Sequence, residues 1–140
     1  MAGTVALIVG LVVAMSDGDT LTVLDGDFRQ VKVRLAEIDA PEKKQPFGTR
    51  SRQSLGELCH EKRAEVRVTD VDRYKRIVGR VSCAGVDANA AQVRRGMAWV
   101  YDGYAKDKTL YRLQDEARSS GRGLWVDRNP TAPWDWRKRS

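Results

Sequence analysis

Two Asp-Gly pairs, Asp17-Gly18 and Asp25-Gly26, punctuate the first 35 residues, and each is flanked by β-branched, apolar runs. Asp-Gly between alternating segments is a strong hairpin signal, because the turn uses backbone conformations that glycine adopts without penalty. The pairs predict strands over about 5–15, 20–25 and 28–37. In the third, Val31, Val33 and Leu35 alternate with Lys32 and Arg34, so one face is apolar and the other cationic. A meander of this kind must bury its apolar face against later elements.

Those elements follow in a readable order. Pro46 and Gly48 break the chain, and a helix is predicted over about 49–62, with Leu55, Leu58 and Cys59 on one face. Ala64, Val66 and Val68 alternate with charged residues as a fourth strand; Asp70 to Lys75 is a polar loop. Ile77, Val81 and Cys83 mark a fifth strand, on which Arg80 reads as a surface residue. Helices are predicted over about 88–96 and 107–120, before a tail from Val126 with Pro130, Pro133, Trp134, Trp136 and Arg137-Lys138-Arg139. Linkers and repeats are absent from the 140 residues, so one domain over 1–140 is expected, with residues 126–140 as its basic tail. The order fits an α+β chain, mainly β: an OB-fold, that is, a five-stranded barrel, with three helices.

Met1 to Ser16 carries no charge, and Thr4 to Met15 is mostly apolar. Twelve residues are too few to span a bilayer. The segment reads either as the remnant of a leader or as a buried first strand, and the strand is the better reading for Gly10 to Ser16. The net charge of +6 favours polyanionic partners, although ordinary solubility charge would look the same. Two cysteines and one histidine are too few for a structural zinc site, and adjacent Cys59 and His60 make a poor nucleophile pair. The two cysteines permit one disulfide or two free thiols.

Residues Val33 to Glu42 concentrate the chemistry. Strand alternation puts Arg34 on the outward face; the strand then ends and delivers Asp39 and Glu42, with Pro41 stiffening the chain between them. One guanidinium and two carboxylates at a strand rim are equipment for a metal ion and a phosphate, and equally for a solvated strand end. Asp19 sits in the first turn; Asp25-Gly26-Asp27 repeats its pattern and reads as a plain turn. Neither copy has the spacing of an EF-hand calcium loop.

Together the pieces resemble the staphylococcal nuclease family. The matching residues are Ser16 to Thr20, Val33-Arg34-Leu35, Ile38 to Glu42, Asp72 to Arg76, Asn89 with Val93 to Ala98, and Gly123-Leu124-Trp125, in the family's order. The resemblance implies a calcium-dependent hydrolase of DNA and RNA that leaves 3′-phosphates. It implies Asp19, Asp39 and the Ala40 main-chain carbonyl as calcium ligands, Glu42 as general base, and Arg34 and Arg76 as grips on the scissile phosphate. Arg73 and Tyr74 would contact a neighbouring nucleotide. The expected partners are DNA and RNA, single-stranded or locally open, bound by a monomer with no membrane role. Some exported bacterial members look similar at Cys59 and Cys83, which implies a disulfide and a secreted or periplasmic home.

The chain also departs from the best-known member. Ala40 stands where that protein has Thr, and Lys75 where it has Gly; the loop after Glu42 looks shorter. An aromatic near the second nucleotide is replaced by Asp102, with Tyr104 as a substitute. The competing reading is a non-catalytic nucleic-acid-binding OB-fold. Such a binder has no use for Asp19, Asp39 and Glu42 together, since acids repel phosphate. A basic domain docking on protein or membrane has only the net charge in its favour.

Overall fold

A computed structural model describes residues 6–139, so part of the segment read as leader or strand, including Val5, lies outside the described residues. The meander forms as β1 (Leu7–Asp17), β2 (Thr20–Leu24) and β3 (Gln30–Leu35), each antiparallel to the next. On its other edge β1 pairs with β5 (Arg63–Val71), which in turn pairs with β6 (Ile77–Cys83). Parallel pairing of β3 with β6 brings Val33 beside Ile77 and closes a five-stranded barrel. Strand alternation explains the interior: Val12, Leu21, Val23, Val33, Leu35, Val66 and Val81 are all fully buried. Each such side chain contributes about 1.5–3 kcal/mol relative to exposure.

Helix α1 (Gly48–Cys59) sends Leu55, Leu58 and Cys59 into the same core. It ends at Cys59 rather than near 62; Glu61 has a left-handed backbone, φ 61°, which cannot continue a helix. Cys59 is bonded to Cys83 at the end of β6, so the two thiols are one buried disulfide. Helix α2 (Ala88–Arg94) starts where the Asp87 carboxylate accepts from the Ala90 amide. Helix α3 (Lys108–Ser119) starts likewise, with Asp107 accepting from Thr109 N.

Four features depart from the sequence reading. Neither hairpin glycine has a positive φ. Gly18 is needed for a close approach instead: a Cβ there would lie 1.7 Å from Ser51 Oγ on α1. In the second hairpin the positive φ falls on exposed Phe28, at 60°. Second, a small antiparallel pair forms between β4 (Ile38–Asp39) and β8 (Trp99–Val100). A further short strand, β7 (Val86–Asp87), pairs antiparallel with the end of β6. Third, Leu124 and Trp125 lie in a 3-10 turn over Gly123–Val126, and with Ala117, Phe47 and Trp99 they form a second apolar cluster.

Fourth, the basic tail is not irregular. It ends in a fourth helix, α4 (Pro133–Arg139), with Pro133 at its first position, where a missing amide is harmless. The Trp134 ring stacks on Tyr101, with ring centres 5.3 Å apart and planes 3° apart, and meets Trp99 edge-on at 5.5 Å. Gln45 Nε2 donates to the Thr131 carbonyl at 2.6 Å, a second tie between tail and barrel. Among the described residues no helix is long and apolar enough to cross a membrane.

Candidate active site

Asp19 occupies the two-residue turn between β1 and β2, and its neighbours hold it still. Its main-chain carbonyl accepts from Leu35 N at 2.8 Å. Its carboxylate takes the Thr20 hydroxyl on Oδ1 and the Ala40 amide on Oδ2, at 3.0 and 2.7 Å. The second bond spans 21 residues and pins the first hairpin to the chain leaving β4. From behind, Gln92 on α2 donates to the Gly18 carbonyl and to that of Ser51, at 2.7 and 3.0 Å. Fully buried Gln92 accepts in turn from Ser54 Oγ at 2.6 Å. The first turn is thus fixed from the helical side as well as from the barrel.

Arg34 is the hub. Its Nη1 donates to the carbonyls of Leu35 and Ile38, at 3.0 and 2.9 Å, and so fastens the turn between β3 and β4. The same guanidinium pairs with Asp19 Oδ2 at 3.3 Å and Asp39 Oδ1 at 3.2 Å. Both carboxylates therefore converge on one cation, at the rim where the sequence placed it. Asp39 is held on a strand, β4, by its pairing with Trp99. Glu42 follows after Pro41, with its amide donating to Gln45 Oε1 at 3.1 Å.

The cluster holds more acid than the sequence motif suggested. Burial pushes the Asp39 carboxyl up, and the guanidiniums of Arg137 and Arg34 offset this only in part. Asp17 is also pushed up, first by burial and then by repulsion from Asp19 and Glu42. Asp17, Asp19, Asp39 and Glu42 thus share one field. Groups whose ionisation is opposed by burial and like charge favour an added cation.

Arg137 is the residue that sequence reasoning missed. Carried on α4, it crosses to the cluster from 98 residues away in the chain. Nη2 meets Asp39 Oδ2 at 2.7 Å, and Nη1 meets Asp39 Oδ1 at 3.1 Å and Glu42 Oε1 at 2.8 Å. The bond to Asp39 raises the pKa of this guanidinium further, so it stays charged at any working pH. A signal was present: Trp134 and Arg137, three apart behind a proline, share one helix face.

The other expected residues have partners outside the acidic cluster. Arg76 precedes β6 and donates through Nε to Asp72 Oδ2 at 2.7 Å; no ion pair joins it to Asp19, Asp39 or Glu42 among the described residues. Arg73 and Arg76 stack on the two-thirds exposed Tyr74 ring, at 5.1 and 5.5 Å from its centre. Lys75 takes a left-handed backbone in that turn, φ 65°, a conformation that glycine adopts more readily. Tyr104 is exposed and leans on Tyr101, ring centres 4.6 Å apart. Arg80 is not a free surface residue: it pairs with Asp87 at 2.8 Å, Asp107 at 2.9 Å and Glu37 at 3.6 Å.

No group of three or more acidic, histidine or cysteine side chains forms a metal cage among the described residues. The donors that do converge, Asp19 and Asp39, offer oxygen alone, the set that hard divalent ions prefer. Such a donor set would suit a hard divalent cation.

Comparison with known proteins identifies the family. Residues 32–127 match the family described as Staphylococcal nuclease homologue, a span that holds Arg34, Asp39, Glu42 and Arg76. An uncharacterized endonuclease of Haemophilus influenzae is 43% identical over 128 residues, 91% of this chain and 72% of that protein. An uncharacterized endonuclease of Escherichia coli is 46% identical over 131 residues, 93% of this chain and 85% of that protein. A Shigella flexneri protein named micrococcal nuclease is 42% identical over 142 aligned positions, 94% of this chain and 81% of its own length. The chain belongs to the staphylococcal nuclease family.

Proposed function

We propose that this protein is a calcium-dependent nuclease that hydrolyses DNA and RNA with little sequence choice and leaves 3′-phosphates. One observation carries the reading: Asp19 and Asp39, from separate strand ends, meet on one guanidinium with Glu42 beside them. In this reading Asp19, Asp39 and the Ala40 carbonyl hold the cation, which supplies Lewis acidity toward the phosphodiester. Glu42 takes a proton from the attacking water, whose oxygen bonds to phosphorus as the bond to the 5′ oxygen breaks. Arg34 and Arg76 stabilise the charge that grows on the phosphoryl oxygens. Arg34 is already committed to the carboxylates, so its role combines positioning with charge stabilisation.

Tyr74, with a guanidinium on its ring from Arg73 and another from Arg76, suits stacking against an unpaired base. Tyr104 offers a second exposed ring. Substrate would therefore be single-stranded or locally open. The disulfide favours an oxidising compartment, periplasmic or outside the cell. Names of relatives that include endonuclease and micrococcal nuclease favour cleavage over binding alone. The test is degradation of plasmid DNA and of RNA with Ca²⁺, with Zn²⁺ and with EDTA. Cleavage with Ca²⁺ that EDTA abolishes and Zn²⁺ restores poorly is expected. Full activity in EDTA overturns the calcium assignment, and retardation of nucleic acid without cleavage favours the binding module.

A further inference from the structure

The cluster of acids has two arginine partners that differ in kind. Arg34 is 14% exposed and is anchored by two main-chain carbonyls besides its carboxylates. Arg137 is 40% exposed, arrives on a short terminal helix, and spends its Nη atoms on Asp39, Glu42 and the Tyr101 hydroxyl. Its fork covers both oxygens of Asp39. A divalent cation seeking an Asp39 oxygen therefore meets an existing charge-assisted pair. Of the two guanidiniums, the more exposed one, Arg137, is the one that can leave.

Resting on the reading of the site as a calcium nuclease, we propose that Arg137 is a built-in counter-ion that competes with the metal. Its release from Asp39 and Glu42 accompanies cation binding and lifts α4 from the barrel. The geometry also supplies a reporter. Trp134 lies one turn before Arg137 on the same helix and stacks on Tyr101, whose hydroxyl accepts from Arg137 Nη2 at 3.3 Å. Movement of the guanidinium and loosening of the stack are mechanically joined. Arg137 also holds one oxygen of Glu42, Oε1, at 2.8 Å.

Calcium titration calorimetry on the full chain, without nucleic acid, tests this with R137Q and R137K beside the unaltered protein. R137Q is expected to bind Ca²⁺ about tenfold tighter, a factor that corresponds to about 1.4 kcal/mol. R137K keeps the charge and is expected to stay near the unaltered value, while thermal melts check that each variant is folded. Calcium should also change tryptophan emission in the unaltered protein, and this change should shrink in W134F and in R137Q. Equal or weaker calcium binding by folded R137Q overturns the counter-ion and leaves the calcium reading intact. Absence of calcium binding by all of the proteins overturns both.

Discussion

Two arginine clusters of similar composition lie on neighbouring parts of the barrel, and their difference separates a site from a strut. Arg80 gathers Glu37, Asp87 and Asp107, from the β3–β4 turn, β7 and the cap of α3. Its carboxylates have other duties: Asp87 and Asp107 cap α2 and α3, and Glu37 accepts from Asp107 N at 2.8 Å. Every member joins secondary elements, and the charges are partly solvated. Arg34 gathers Asp19 and Asp39, but here Asp17 and Glu42 add acid that the barrel itself does not neutralise. A second guanidinium comes from Arg137, on a helix outside the barrel. Both clusters hold more carboxylates than guanidiniums; what differs is that the carboxylates around Arg80 are spent on helix caps and a turn, whereas Asp39 and Glu42 share a guanidinium that comes from outside the barrel.

That contrast can be broken at several points. The largest effect is expected for Glu42→Gln, which keeps shape and hydrogen bonding but removes the proton acceptor. The kcat should fall on the order of 10²–10⁴, with nucleic-acid binding and melting temperature nearly unchanged. Near-normal turnover would move the base elsewhere. Next comes Arg34→Lys. Charge is kept, but a point donor cannot reach Leu35, Ile38 and both carboxylates, so the rate should fall about 10²-fold. Steady-state kinetics at saturating Ca²⁺ would decide it, and retention of full rate would reduce Arg34 to a charge.

Arg80→Ala should give the opposite profile. Denaturant titration should show a loss of about 1–2 kcal/mol, a figure already lowered for partial exposure. The kcat measured well below the melting temperature should be largely kept. If Arg80→Ala instead abolished turnover with stability intact, the two clusters would not divide as argued.

The smallest effect is a pH dependence. The Thr109 hydroxyl first, then Arg80, hold the Asp107 carboxyl below its ordinary value. The unfolded chain then binds the proton more readily. This stabilisation is therefore complete above the ordinary value of 3.8 and is lost as pH falls through the folded value. Asp107→Asn should lower stability at neutral pH by about 0.5–1 kcal/mol and flatten the acid side of the melting profile. An unchanged profile would mean that Asp107 is not coupled to folding.

Much of this was legible because local rules and the fold agree. The alternation of Val31, Val33 and Leu35 with Lys32 and Arg34 gave β3 its faces, and the acids that follow it marked the candidate site. Two-residue strands such as β4 and β8 carry no periodicity, so the ladder that holds Asp39 was invisible. The Asp17-Gly18 turn was recognised, but for the wrong reason: its glycine answers to Ser51, 33 positions later, a distant packing constraint. Arg137 was hidden because a seven-residue helix that begins at the second of two prolines looks like a tail, and its partners lie across the chain. Arg80 looked spare for the same reason; its partners come from three other elements.

The bond between Cys59 and Cys83 has a consequence for life among proteases. The ring that it closes, across a sequence separation of 24, contains the turn Asp72 to Lys75, where Arg73 and Lys75 are exposed. That turn joins β5 and β6, and it is where a trypsin-like enzyme would find an accessible bond. A cut there severs the backbone but not the molecule, since the cystine still spans the gap. The ladder between β5 and β6 would keep the two pieces in register. Nicked protein should migrate as one species on a non-reducing gel and as two after reduction.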